Sequence, residues 1–306
     1  MNQFTREKPL VSIVIPSWFT HQGQHGKYGE HETFWFGSEC LKRLLETSTG
    51  IKDIGNRPIF ELIIIDNGST LTQEDIDESI GRASFASMGH LKSSELVLTN
   101  ESKNVEKSKF SIEDYWSQAD ILIRNKNNLG FGPAVNQGIA VARGEYICCL
   151  NNDILVWDGW LNALLNVFSI PNPPKPVGVV MPALVQKLRD AREAIKLEKI
   201  ECTKNAGVYS PGAEFGSLWI ARTDLLRKIA QNRDGYQVLD EGFVNGKEDR
   251  LLWLEIRKLG LETYRTHDTR VFHQGQMSCG KTKDRHLYRE SNTKLLKKEK
   301  ERLGFL

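Results

Sequence analysis

Tyr146-Ile147-Cys148-Cys149-Leu150-Asn151-Asn152-Asp153-Ile154-Leu155-Val156 is an apolar run that breaks at three polar residues and then resumes. A short apolar run bounded by such residues predicts a buried strand. In an α/β sheet, the polar carboxyl end of a strand is where chemistry is presented. Asp153 is suited to hold a divalent cation against a diphosphate, and Asn151 and Asn152 offer amides that position the acid or hydrogen-bond a sugar or phosphate. Asn-Asn-Asp is also ordinary turn composition. The neighbouring sequence decides between the two.

Upstream, Ala134 to Arg143 predicts a helix with Val135, Ile139 and Ala142 inward, ended by Gly144. Before it, Ala119 to Arg124 predicts a short strand, and Gly130 and Gly132 open the following turn so that backbone can approach a ligand, with Asn128 and Asn136 as polar contacts. Val11 to Pro16 and Glu61 to Ile65 predict two more strands, with a helix over Ser38 to Ser48 between them. A strand, a helix and another strand make a βαβ unit, hence a parallel sheet. Ser17 to Gly37 reads as a long loop rich in His and aromatic residues, whose His21, His25 and His31 match no metal spacing. Asn100 to Gln118 reads as an exposed excursion, with a helix over Gln73 to Ser87 and a short strand at Leu96 to Thr99 before it.

Downstream, Trp157 to Phe168 predicts a helix, and four prolines between Pro171 and Pro176 make a stiff connection to apolar Val177 to Leu184. Leu188 to Glu201 reads as peripheral, Glu214 to Ala221 as a strand, and Thr223 to Ala230 and Glu248 to Leu259 as helices.

The chain of 306 residues has 41 basic and 39 acidic side chains, so no whole-chain charge excess argues for nucleic acid. Five cysteines, odd in number and without paired zinc spacing, predict buried small side chains at Cys148 and Cys149 and a reducing compartment. The run Leu10 to Ile15 is too short for a signal peptide's apolar region, and no stretch approaches a membrane span, so a cytoplasmic location is expected. From Lys281 to Arg302, nine basic residues face four acidic ones, with a thin apolar stripe through Leu287, Leu295 and Leu303. That segment reads as a solvated helix on its own domain, with peripheral contact at an anionic inner membrane face as the alternative.

Four pieces recur in a fixed order: Val14-Ile15-Pro16; Asp66-Asn67-Gly68-Ser69; Asn127-Asn128-Leu129-Gly130-Phe131-Gly132-Pro133 running on to Asp153; and Gly246-Lys247-Glu248-Asp249, followed by Val271-Phe272-His273. Over roughly residues 10 to 275 this order resembles the nucleotide-sugar glycosyltransferases of family 2, including bacterial rhamnosyl and hexosyl transferases. The resemblance implies an α/β GT-A fold: a mostly parallel central sheet flanked by helices, with a Rossmann-like nucleotide-binding half over 1–155, an acceptor half over 156–280 and a basic helical tail over 281–306.

It further implies an inverting transferase that uses Mn²⁺ or Mg²⁺ to move a sugar from a UDP- or dTDP-sugar to a hydroxyl of a glycan or lipid-linked glycan, in polysaccharide biosynthesis. Pro16, Asp66, Asn128, Gly130, Asn136, Asn151 and Asn152 would then contact the donor, Asp153 and His273 would hold the metal, and Asp249 would be the general base. Each also has a plainer reading. For Asp66 it is an Asx-turn, for His273 a satisfied histidine at a strand end, and for Glu248-Asp249 complementarity to a helix dipole.

Three positions depart from the pattern. Many relatives continue Glu-Asp-x-Asp-Leu with an Arg one turn later, where this chain has Leu251 and Glu255. Thr20 also stands where relatives often carry Asn. The departures support a rival, a non-catalytic nucleotide-sugar-binding protein that retains the fold. A nucleotidyltransferase is disfavoured because Ser17 to Gly29, with one lysine, lacks a basic phosphate loop.

Overall fold

The computed structural model describes residues 8–20, 30–48, 59–77, 111–185, 194–197, 209–212, 215–244, 246–275 and 285–306. The expected strand at Leu96 to Thr99, most of the helix expected over Gln73 to Ser87, and His21 and His25 lie outside them.

The sheet contains strands β1 (Val11–Ser17), β2 (Phe60–Asp66), β3 (Ile121–Arg124), β4 (Tyr146–Leu150), β5 (Ile154–Leu155), β6 (Val177–Leu184), β7 (Tyr209–Pro211), β8 (Leu218–Arg222) and β9 (Glu262–His273). Its order is β3-β2-β1-β4-β8-β6-β9-β5, with β7 paired to β9 off that path. From β3 to β4 every pairing is parallel, β8 is antiparallel to β4 and β6, and β6 is parallel to β9. The fold is thus the mixed α/β, mostly parallel arrangement expected from the sequence.

Alternation along the strands sorts the core into two layers. Ile13, Ile15, Leu62, Ile64, Cys148 and Leu150 face one side. There they meet helices α1 (Glu30–Ser48), α2 (Ile112–Ser117) and α4 (Trp160–Asn166). Val14, Ile63, Ile65, Ile147 and Cys149 face the other. That side is covered by α3 (Phe131–Val141), α5 (Thr223–Ala230) and α6 (Glu248–Lys258). Cys148 and Cys149 are fully buried small core residues, as expected, and burial pushes both thiols up. Helix α7 (Arg285–Leu303) packs on α6 through Leu296 and Leu303, the own-domain packing read for the basic tail. No helix among the described residues is long and apolar enough to cross a membrane.

Three expectations are corrected. The loop read over Ser17 to Gly37 is helical from Glu30, where Phe34 and Phe36, on opposite faces of the same turn, bury themselves against different core clusters. The excursion read up to Gln118 contains α2, started by a capping box in which Ser111 and Asp114 bond each other's backbone N–H groups. Tyr115 and Trp116 of that helix pack edge-on and tilted against Phe19, so this face of the helix is core rather than exposed. Within the stretch read as peripheral, Ala194 is buried, and the Ile195 and Leu197 carbonyls accept from the Arg43 guanidinium of α1.

The parallel strands are tied to α3 by a buried polar network. Glu61, almost wholly buried, accepts from Ser12 Oγ at 2.6 Å, from the Arg143 backbone N–H at 2.7 Å and from Arg143 Nε and Nη2 at 2.8 and 2.6 Å. Ser12 Oγ in turn accepts from Gly144 N–H at 2.8 Å. These bonds fix the exit of α3 into β4, and through β4 the position of Asp153.

Candidate functional site

Ser17, Asp66 and Arg124 lie in register at the carboxyl edge of β1, β2 and β3. Pro16, half-buried, pairs with Ile65 one step inside that edge. Asp66 Oδ1 accepts from Ser69 N–H at 2.9 Å, a local bond that closes the turn three residues on rather than the two of an Asx-turn, while Oδ2 lies 3.5 Å from Arg124 Nη1. Arg124 also rests over the Trp116 ring, 5.6 Å from its centroid. The loop after β1 is stitched to the turn after β2, with Phe19 N–H donating to Ser69 Oγ and Thr20 bonded to Thr70.

Asn67, to which the sequence assigned no role, is the hub of this edge. Its amide donates to Asn128 Oδ1 and the Gly130 carbonyl and accepts from Asn125 Nδ2 and Leu129 N–H, so all four of its positions are used. Its only sequence signal is its place in a four-residue turn, next to Gly68 at φ +78°. A Cβ on Gly68 would lie 2.7 Å from Asn127 Cα, so this turn requires glycine twice over.

Asn128 is exposed, with Oδ1 also accepting from Gly130 N–H, and Gly130 at φ 94° starts α3 without a side-chain cap. Asn136 faces the segment after α5. Its Oδ1 accepts from Val238 and Leu239 N–H, and its Nδ2 donates to the Leu239 carbonyl and Glu241 Oε1. All four of its positions are therefore filled within the protein, and it holds α3 against residues 238–241.

At the end of β4 the sequence-predicted metal pair comes together. His273 Nε2 stands 3.3 Å from Asp153 Oδ1, because β5 pairs antiparallel with the end of β9 and sets Ile154 opposite His273. Asp153 Oδ2 accepts from Gly275 N–H at 3.0 Å. Burial alone would lower the His273 pKa, but the charge of Asp153 and its hydrogen bond more than offset this, and the net shift is upward. Asn152 is half-buried beside them. Asn151 anchors its backbone N–H on the Ser217 carbonyl at 2.8 Å, whereas its Oδ1 is buried and has no hydrogen-bond partner.

Among the described residues no third His, Cys, Asp or Glu joins Asp153 and His273. A carboxylate and an imidazole in contact, with the orphaned amide oxygen of Asn151 two residues before Asp153 in the chain, are oxygen and nitrogen donor types that fit Mn²⁺ or Mg²⁺.

The second acid group opens α6. Asp249 is half-buried and packs on Gly216, where a Cβ would come within 2.9 Å of its Cγ. Phe215, Gly216 and Ser217 therefore touch both acid groups: the Phe215 ring meets His273 edge-on at 5.7 Å, Gly216 faces Asp249, and Ser217 holds Asn151. Sequence reading took these three residues as part of a strand, and glycine at the centre was the one available signal.

Glu248 is buried beside Gly132 of α3, and its Oε2 has no hydrogen-bond partner. Burial first, and the neighbouring Asp249 charge second, push its pKa from 4.5 up to about 7, against partial relief from the Glu248 and Gly246 backbone N–H groups. Between those two values the folded state holds a proton that the unfolded chain has lost, so the Glu248 contribution to stability falls as pH rises through this window. Glu248→Gln is therefore expected to gain up to about 3 kcal/mol over the native chain at pH 8 relative to pH 5. Urea melts at the two pH values measure this, and an equal effect at both would contradict it.

The departures at Leu251 and Glu255 also have partners. Leu251 is fully buried with Phe243, Leu254 and the α7 leucines, and Glu255 pairs with Arg233 and, at 3.7 Å, with Arg302. Both changes serve contacts on the far side of α6 and leave Asp249 in place.

Residues 95–199 match the model of Glycosyl transferase family 2. The resemblance read from the sequence is thereby shown over a central stretch that includes the Asn127 to Asp153 segment. Among solved structures, the chain is similar to the S. aureus TarS fragment 1-349, with 13% identity, TM-score 0.48, and coverage of 86% of this chain and 60% of that one. A second similar structure is the mannosyltransferase PcManGT from Pyrobaculum calidifontis in complex with GDP-Man and Mn²⁺, with 16% identity, TM-score 0.47, and coverage of 87% and 57%. The chain spans about three-fifths of the length of these structures, and likeness at this level defines neither donor nor acceptor. No protein of curated function shows significant sequence similarity to it.

Proposed function

We propose that the chain is a metal-dependent inverting glycosyltransferase that moves a hexosyl or rhamnosyl group from a UDP- or dTDP-sugar to a hydroxyl of a glycan or lipid-linked glycan. The family 2 match supports sugar transfer in general. The single observation that carries the finer reading is the Phe215-Gly216-Ser217 stretch, which binds the Asp153–His273 pair on one side and seats Asp249 on the other. This supports a metal-type acid and a separate acid working in one site, the division that inversion needs.

In this reading the half up to about residue 155 binds the nucleotide, with the Asp66 edge toward the base. The half over 156–280 receives the acceptor, and the basic helical tail over 281–306 follows it. Asp153, His273 and Asn151 would hold the cation, which when bound supplies positive charge to the leaving diphosphate. The chain's own residues do the rest. Asp249 takes the proton of the acceptor hydroxyl, whose oxygen forms the new bond to the anomeric carbon. The bond from that carbon to the diphosphate breaks on the opposite face, and its electron pair leaves with the diphosphate. The protein would act in the cytoplasm, at the inner membrane face if its acceptor is lipid-linked.

Titration of Mn²⁺ with UDP present tests the metal half of the proposal. Asp153→Ala is expected to weaken Mn²⁺ binding at least about 10-fold, the loss seen when a ligand set is damaged. Unchanged binding would remove Asp153 from the site. The rival binding protein is favoured instead if the native chain binds nucleotide sugars but neither transfers nor hydrolyses them.

A further inference from the structure

The turn that delivers Glu248 and Asp249 is irregular. Gly246 has φ 143°, and Lys247, a non-glycine residue in the left-handed region at φ 76°, stands at the N-cap of α6 without a side-chain bond to the helix's own N–H groups. A turn of this kind persists only where its surroundings over-determine it.

The surroundings come from α7. Asn292 is 4% exposed, and its whole amide is spent on this turn. Oδ1 accepts from Val244 N–H at 3.1 Å, and Nδ2 donates to the Val244 and Gly246 carbonyls at 2.8 Å each. Next to it Thr293 Oγ1 accepts from Lys247 Nζ. One turn on, Leu296 packs with Leu251 and Leu254, and at the far end Arg302 reaches Glu255. Helix α7 therefore grips α6 along its length and the turn before it from the side.

From this we infer that α7 is a brace for the acid-bearing turn and that Asn292 is a positioning residue for Asp249. The inference rests on Asp249 acting as the base, and it assigns a role in transfer to a helix outside both the matched segment and the stretch that carries the family resemblance. Leu251 and Glu255 are part of the same device, because these two departures from the family pattern create the apolar and charged contacts that α7 uses.

The test uses the full chain with Mn²⁺ and the first donor hydrolysed from a panel of UDP-, dTDP- and GDP-hexoses, together with amide hydrogen exchange. Asn292→Leu keeps the volume and removes all three bonds. Its kcat is expected to fall about 30- to 100-fold, since small displacements of a reacting group carry costs of that order. Donor KM should stay within about twofold, and exchange should quicken over residues 242–250 and not in β1 or β4. Asn292→Asp keeps the acceptor for Val244 N–H but sets an oxygen against the Val244 and Gly246 carbonyls where the amide donated, so it should lose kcat at least as far as Asn292→Leu. Lys298→Ala, on the exposed side of the same helix, should behave as native.

Native kcat in both Asn292 variants, or exchange at 242–250 that does not change, would overturn the brace. Equal loss of kcat and of donor binding with global acceleration of exchange would overturn it too, as that is a folding effect. If the native chain turns over no donor in the panel, the proposed function fails. The exchange result then still decides whether Asn292 holds the turn.

Discussion

Asp249→Asn is expected to lower sugar transfer by about 10²- to 10⁴-fold, the range for loss of a general base. Donor affinity, measured by titration of the nucleotide sugar, is expected to stay within about twofold. The substitution is close to isosteric and keeps a polar group against Gly216, where the Asp249 carboxylate packs. The Asp153–His273 pair keeps its own contacts, which lie on the other side of the Phe215 to Ser217 stretch. Glu248 cannot take over the role by simple proximity. It is turned into the protein beside Gly132 and buried, whereas Asp249 is half-exposed toward the site. A loss of donor binding as large as the loss of transfer would mean that Asp249 holds the donor and is not the base.

Arg143→Ala is expected to destabilise the fold by about 1–3 kcal/mol, between the cost for an exposed ion pair and that for a fully buried one. Glu61 is almost wholly buried and receives two of its bonds from the Arg143 guanidinium. The Arg143 side chain is partly exposed, so the charge that remains after truncation is the expensive one inside. Urea denaturation measures the loss. Glu61→Gln combined with Arg143→Ala should recover part of it, since no buried charge is then left alone. A single-variant loss below about 1 kcal/mol would place this pair with ordinary surface ion pairs.

The parts legible in the sequence were those whose burial writes a local pattern. β1, β2 and β4 are short β-branched or apolar runs ending at polar residues, and each lies where that pattern placed it. The start of α6 at Glu248 was equally legible from its periodic leucines. The two early turns of α1 were hidden because Phe34 and Phe36 enter separate clusters and give no single apolar stripe. α2 was hidden by its charged flanks, although its Ser111–Asp114 capping box was there to be read.

The site divides in the same way. The meeting of Asp153 and His273 follows from β5–β9 pairing, which no local pattern contains and which the family resemblance alone implied. Asn136 was read as a ligand contact and proves to be filled by residues 238–241, about a hundred positions away. Asn67 and Asn292 were passed over for the same reason. A buried asparagine shows its purpose only through distant backbone groups.

The most direct test of the account follows the anomeric proton signals by NMR while the native chain, Mn²⁺, a nucleotide sugar from the panel and an acceptor glycan react. The native chain is expected to release nucleoside diphosphate and to give a product of inverted anomeric configuration, and Asp249→Asn to give neither signal. A product of retained configuration, or the same inverted product at native rate from Asp249→Asn, would contradict it.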